Sequence, residues 1–75
     1  MIRYEICTKD GRTDRVFRCR DGRFGDEIYY AMYDYLMRRF NLEHEQAENA
    51  VCWCELASIG DTHVEDEFEI IMTEE

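Results

Sequence analysis

The chain has 75 residues, a formal net charge of −9, 45% hydrophobic residues and no proline. That length allows one small domain with a thin core and little room for a deep catalytic cleft, while the hydrophobic content excludes wholesale disorder. Nine basic and seven acidic residues lie in 1–39, none and eleven in 40–75, so the two parts carry +2 and −11, a field that repels nucleic acid and attracts basic partners.

Residues 2–8 alternate, with Ile2, Tyr4 and Ile6 on one face of a predicted strand. Asp10-Gly11 is a two-residue hairpin signal. Residues 13–20 alternate again, and a loop at Asp10-Gly11 sets Tyr4 opposite Phe17 and Ile2 opposite Cys19. The outer face then carries Arg3, Glu5, Cys7, Val16 and Arg18. Asp21-Gly22-Arg23-Phe24-Gly25 reads as a turn, and Asp26 as the cap of a helix. Ile28, Met32, Tyr35, Leu36 and Phe40 form the apolar stripe of a helix over 26–40, which Asn41 ends in the left-handed conformation.

A second helix is expected over 42–59, with Ala47, Ala50, Val51, Cys54 and Ala57 inward and Gly60 as its stop. Residues 50–57 also suit a strand, since Val51-Cys52-Trp53-Cys54 is compatible with both. Asp61–Glu67 reads as an acidic loop, and Phe68, Ile70 and Met72 mark a last strand. The expected fold is α+β in the order ββααβ: a three-stranded antiparallel sheet with a two-helix hairpin on one face. If the last strand lies beside the first, the outer arginines Arg3 and Arg18 face Glu5, Glu67 and Glu69 as a salt-laced surface.

Chemistry-bearing constellations are sparse. Cys52, Cys54, His44 and His63 are the best candidates for a small metal-binding domain, but there is no Cys-x-x-Cys knuckle. On a helix, Cys52 and Cys54 point about 200° apart; on a strand they share a face. Asp61, His63 and Glu65 have alternating ligand spacing, yet Asp66 stands where a calcium loop needs glycine and Met72 where it needs glutamate. No nucleophile–base signature and no phosphate-binding glycine loop is present, so no cofactor and no enzymatic activity are expected. No stretch approaches a membrane span and the N-terminus lacks an apolar signal region, which points to the cytoplasm and to reduced cysteines.

The expectation is a non-enzymatic binding protein that offers an acidic surface to a basic, nucleic-acid-binding protein and imitates a row of phosphates. Its surface would comprise Glu43, Glu45 and Glu48 of the second helix, Asp61, Glu65, Asp66 and Glu67 of the loop, and Tyr30 and Asp34 of the first helix. Small acidic inhibitors of phages and mobile elements, anti-CRISPR proteins among them, work this way. The chain is similar to them in size, acidity and lack of other motifs, with no family signature. The alternatives are a homo-oligomer or toxin–antitoxin-type interaction protein, in which the basic hairpin of one chain meets the acidic half of another, and the metal-binding domain named above. The cysteine spacing predicts folding without metal: melts followed by circular dichroism with and without chelator should coincide, and a collapse with chelator would promote the zinc reading.

Overall fold

The structure is a computed structural model and describes residues 1–20 and 22–75. Asp21, part of the predicted turn, lies outside the described residues. Strand β1 (Ile2–Thr8) pairs antiparallel with β2 (Thr13–Cys19), Tyr4 opposite Phe17 and Ile2 opposite Cys19, as the alternation predicts.

The hairpin reaches this register by a different route. The loop has three residues, Lys9–Gly11: the Thr8 N–H donates to the Arg12 carbonyl at 2.9 Å, and Gly11 takes the left-handed conformation at φ 85°. This shifts the pairing by one residue, so Cys7 faces Thr13. Ile6 nevertheless faces Arg15, because Asp14 is an extra residue in β2. That bulge returns the pairing to the register of a two-residue loop. The carboxylate of Asp14 accepts from the Tyr35 hydroxyl and from Arg39 Nε at 3.1 and 3.2 Å. Burial and this carboxylate together hold the Tyr35 hydroxyl protonated well above its usual range.

Helix α1 (Asp26–Phe40) has the predicted bounds. Asp26 is its first helical residue and not its cap; Gly25 precedes it in an extended conformation with no side-chain cap. The end is as expected, Asn41 at φ 53° and ψ 43°. Met32 and Leu36 are fully buried, with Ile28, Tyr35 and Phe40 packed beside them.

Residues 44–56 are helix α2 (His44–Leu56), which settles the helix-or-strand ambiguity for most of 50–57. It is shorter than predicted at both ends. Glu43 caps it: its carboxylate accepts the Gln46 N–H, and the Gln46 side-chain carbonyl accepts the Glu43 N–H at 3.1 Å. Gly60 is not the stop. The chain leaves the helix at Ala57 in an extended conformation, and Gly60, at φ 98°, donates its N–H to the Met72 carbonyl at 2.8 Å.

The predicted acidic loop contains a strand, β3 (Thr62–Val64), which pairs antiparallel with β4 (Phe68–Glu74). The sheet therefore has four strands and not three, in the order β2-β1-β4-β3. β4 does lie beside β1, but Arg3 faces Thr73 and Cys7 faces Glu69. The outer arginines consequently miss Glu67 and Glu69. Arg3 pairs with Glu5 at 3.0 Å and Glu75 at 3.6 Å, and Arg18 with Glu75 at 2.6 Å.

One core joins the inward residues of the sheet to both helices: Ile2, Tyr4, Ile6, Phe17, Phe68, Ile70 and Met72 against Met32, Leu36, Ala47, Ala50, Val51 and Cys54. Tyr4 crosses it and donates its hydroxyl to the Cys54 carbonyl at 3.1 Å. That carbonyl belongs to the last turn of α2, where the helix has no partner of its own to offer.

Leu36→Ala should cost about 2–5 kcal/mol through the cavity it opens, while Arg12→Ala, whose side chain is 86% exposed, should stay within about 0.5 kcal/mol. Tyr4→Phe should cost about 1–3 kcal/mol, because it strands a buried carbonyl without removing apolar volume. Urea unfolding of the three variants checks this ranking; an Arg12→Ala loss as large as that of Leu36→Ala would show the core misassigned.

Candidate functional site

The polar stripe of α2 follows from its apolar one. With Ala47, Ala50, Val51 and Cys54 turned inward, Glu45, Glu48, Asn49, Cys52 and Glu55 stand exposed. Glu43 is exposed too, but it is tied down as the cap. No basic residue occupies the last turn of α2, and Arg20 reaches this row only at Glu55, with which it lines a small cleft.

The β3–β4 connection brings Glu65, Asp66 and Glu67 next to the start of α2. A shallow cleft of about 220 Å³ is lined by Leu42, Gln46 and these three acids. The predicted loop acids thus lie beside the first turn of the helix that carries Glu43, Glu45 and Glu48, although none of those three lines the cleft. Asp61 does not join them. It lies beyond the other end of β3, where its carboxylate accepts the Ser58 N–H at 3.0 Å and closes a turn. Asp34 is also set apart: it pairs with Arg38 at 3.0 Å and lines a groove shared with Arg15 and Arg39, on the β2 side of α1.

Tyr30 is exposed on α1, at 64% of its surface. It is linked to the acidic helix by a chain of rings. Its ring meets Tyr29 edge-on at 5.3 Å, Tyr29 stacks on Tyr33 at 6.5 Å, and Tyr33 meets His44 edge-on at 5.4 Å. The Tyr33 hydroxyl is hydrogen-bonded to His44 Nδ1, and His44 Nε2 lies 3.1 Å from a carboxylate oxygen of Glu48. Partial removal from water, with Cys52 and Glu48 close by, raises the Tyr29 hydroxyl above its usual range. The predicted site did not include His44 or Cys52. The spacing of His44 and Glu48, four apart on a helix, is the sequence signal that could have found the first.

The arginines collect on the opposite flank. Arg18, Arg20 and Arg23 line a groove of about 510 Å³ between β2 and the start of α1, and Arg15, Arg38 and Arg39 line its neighbour. Arg20 also lines a small cleft with Glu55, and Lys9, Arg12 and Arg39 line one that reaches Glu67, so the charge split along the sequence is only in part a split across the sheet.

The metal-binding alternative loses its geometry. α2 turns Cys52 to solvent and Cys54 into the core, and His63 lies against Trp53 at 5.2 Å, remote from the partners it would need. Among the described residues no group of three or more His, Cys, Asp or Glu is placed to hold a metal ion. His63 Nε2 instead sits 2.7 Å from a carboxylate oxygen of Glu65, outside hydrogen-bond geometry. Among the described residues no helix is long and apolar enough to cross a membrane.

No family model, curated protein or solved structure matches the chain.

The cysteines differ sharply in reactivity. Burial pushes the Cys54 thiol up to about 12, and burial with the carboxylates of Glu5 and Glu69 raises that of Cys7. Both stay protonated at neutral pH, and the thiol is the unreactive form. A maleimide should therefore modify the exposed Cys52 in the native protein and reach Cys7 and Cys54 only after unfolding, as read by peptide mass mapping. Rapid native labelling of Cys54 would show that α2 is not seated as described.

Proposed function

We propose that the protein is a non-enzymatic binding protein whose α2 and β3–β4 connection enter a basic groove of a partner protein, one that ordinarily holds nucleic acid. The observation that supports this reading is the placing of Glu65, Asp66 and Glu67 beside the first turn of α2, the helix that carries Glu43, Glu45 and Glu48, in a stretch of sequence with no lysine or arginine after Arg39. From Glu43 to Glu55 the helix rises about 18 Å. Four charges over that length are sparser than the one per about 3.4 Å of a nucleic-acid strand. The loop acids beside the helix start reduce that shortfall. An inhibitor of the anti-defence kind is the biological role that fits such a surface.

A second reading is favoured by the position of the arginines. The basic β2–α1 flank of one copy complements the acidic flank of another, which allows a homo-oligomer or a toxin–antitoxin-type contact. Because the two flanks are different surfaces, such a contact is head-to-tail.

The acidic reading predicts binding that weakens steeply with salt, because screening acts on exposed charges. Reversal to Lys at Glu45, Glu48 and Asp66 should abolish it and leave the fold intact, since all three are exposed and Glu43, the cap, is spared. Titration against a partner captured from the native host, at low and high salt, measures both effects, and free nucleic acid should compete. Salt-independent binding that tolerates the triple reversal sinks the acidic reading; light scattering that shows stable oligomers dissociating in salt supports the second one.

A further inference from the structure

Tyr30 is an aromatic side chain left to solvent where every other ring in its row is seated. Tyr29 and Tyr33 are half-buried at the seam of α1 and α2, and Tyr33 is hydrogen-bonded to His44, which lies beside Glu48. The row is therefore a rigid strip of ring faces and hydroxyls. Such a strip binds with little loss of side-chain freedom.

Elsewhere the fold lays its own arginines over the outer side of buried and half-buried rings. The Arg15 guanidinium lies 4.9 Å from the Phe17 ring centre and 5.9 Å from that of Tyr35, and Arg39 lies 5.1 Å from that of Phe40. Among the described residues no cation lies over Tyr29, Tyr30 or Tyr33. Carboxylates flank them instead. Glu27, one turn before Tyr30, stands at the edge of the groove lined by Arg18, Arg20 and Arg23, and Glu48 stands beside Tyr29 and His44. A guanidinium stacks flat on a ring and pairs with a carboxylate through its edge in one pose, which an ammonium cannot do.

We infer that the Tyr30–Tyr29–Tyr33 strip, flanked by Glu27 and Glu48, seats an arginine side chain of a basic partner protein. The inference rests on the acidic-surface reading and adds its point of specificity: the acids attract any polycation, and the tyrosine strip selects arginine over lysine.

The test needs no natural partner. A nonaarginine and a nonalysine peptide are titrated at low salt into the wild type, Tyr30→Leu, Tyr30→Phe and a triple reversal to Lys at Glu45, Asp66 and Glu67, which spares Glu48 of the seat. The wild type should favour the arginine peptide. Tyr30→Leu keeps apolar area but loses the ring face, so it should weaken the arginine peptide roughly two- to fivefold and the lysine peptide less. Tyr30→Phe should keep the preference. Circular dichroism checks that each variant is folded, which the exposure of Tyr30 favours. Equal affinity of the wild type for both peptides, or a preference that survives Tyr30→Leu, overturns the arginine seat while leaving the acidic surface standing. Tighter binding by Tyr30→Leu overturns it in favour of an apolar contact. Retention of both peptides by the triple reversal instead removes the acidic surface, and the Tyr30 variants still decide the seat.

Discussion

Everything in this fold is arranged around the inward face of β1. The strand is paired on both edges, and its alternate residues Ile2, Tyr4 and Ile6 are buried under the helices. The molecule measures 16 Å along its shortest axis, enough for one sheet and one layer of helices, so a single sheet of side chains separates them. In so thin a core each contact has few substitutes. α2 meets this with Ala47 and Ala50, small residues that let its backbone come close, and the Tyr4 hydroxyl then reaches the Cys54 carbonyl. One side chain thereby fills the core and ends a helix that has no helpful cation in its last turn.

Strand order converts a linear charge pattern into a spatial one. The basic N-terminal hairpin supplies β2 at one edge of the sheet, and the acidic C-terminal hairpin supplies β3 at the other. Where the two meet, at β1 and β4, arginines and acids pair: Arg3 with Glu5, and both Arg3 and Arg18 with Glu75. Hydrogen bonds from Thr13 and Arg3 also lower the Glu5 carboxyl below its usual value. Those pairs serve the sheet. The acids of α2 and of the β3–β4 connection lie beyond reach of them.

Features set by local periodicity were legible in the sequence, and features set by a neighbour were not. The end of α1 could be read to the residue, and its start to within one, because its apolar stripe and Asn41 are both local signals. The register of β1 and β2 was legible, yet its construction was not, because no residue type announces the bulge at Asp14; Tyr35 and Arg39 across the groove supply its partners. β3 was missed because Thr62 and Val64 face solvent and carry no inward apolar pattern. Gly60 looked like a helix stop, but its positive φ serves the path into β3, and the helix ends earlier through its own geometry at Ala57. The candidate acids were visible as composition. That Glu65–Glu67 adjoin the start of α2 while Asp61 and Asp34 do not depends on how β3 and α1 are placed. The link from Tyr33 to His44 likewise exists only because two helices cross there.

The acidic flank is not what stability alone would select. Glu45 and Glu48, three apart on one helix, repel by a few tenths of a kcal/mol, and Glu55 places a negative charge near the end of the helix that already carries partial negative charge. Lysine at these exposed positions would relieve both strains without touching the core. On the other flank the same chain answers nearly every comparable strain, with Arg38 beside Asp34, Arg39 beside Asp14 and arginines laid over Phe17, Tyr35 and Phe40. The contrast within one small molecule sets the exposed acids of α2 and the β3–β4 connection apart: among the described residues none of them pairs with an arginine.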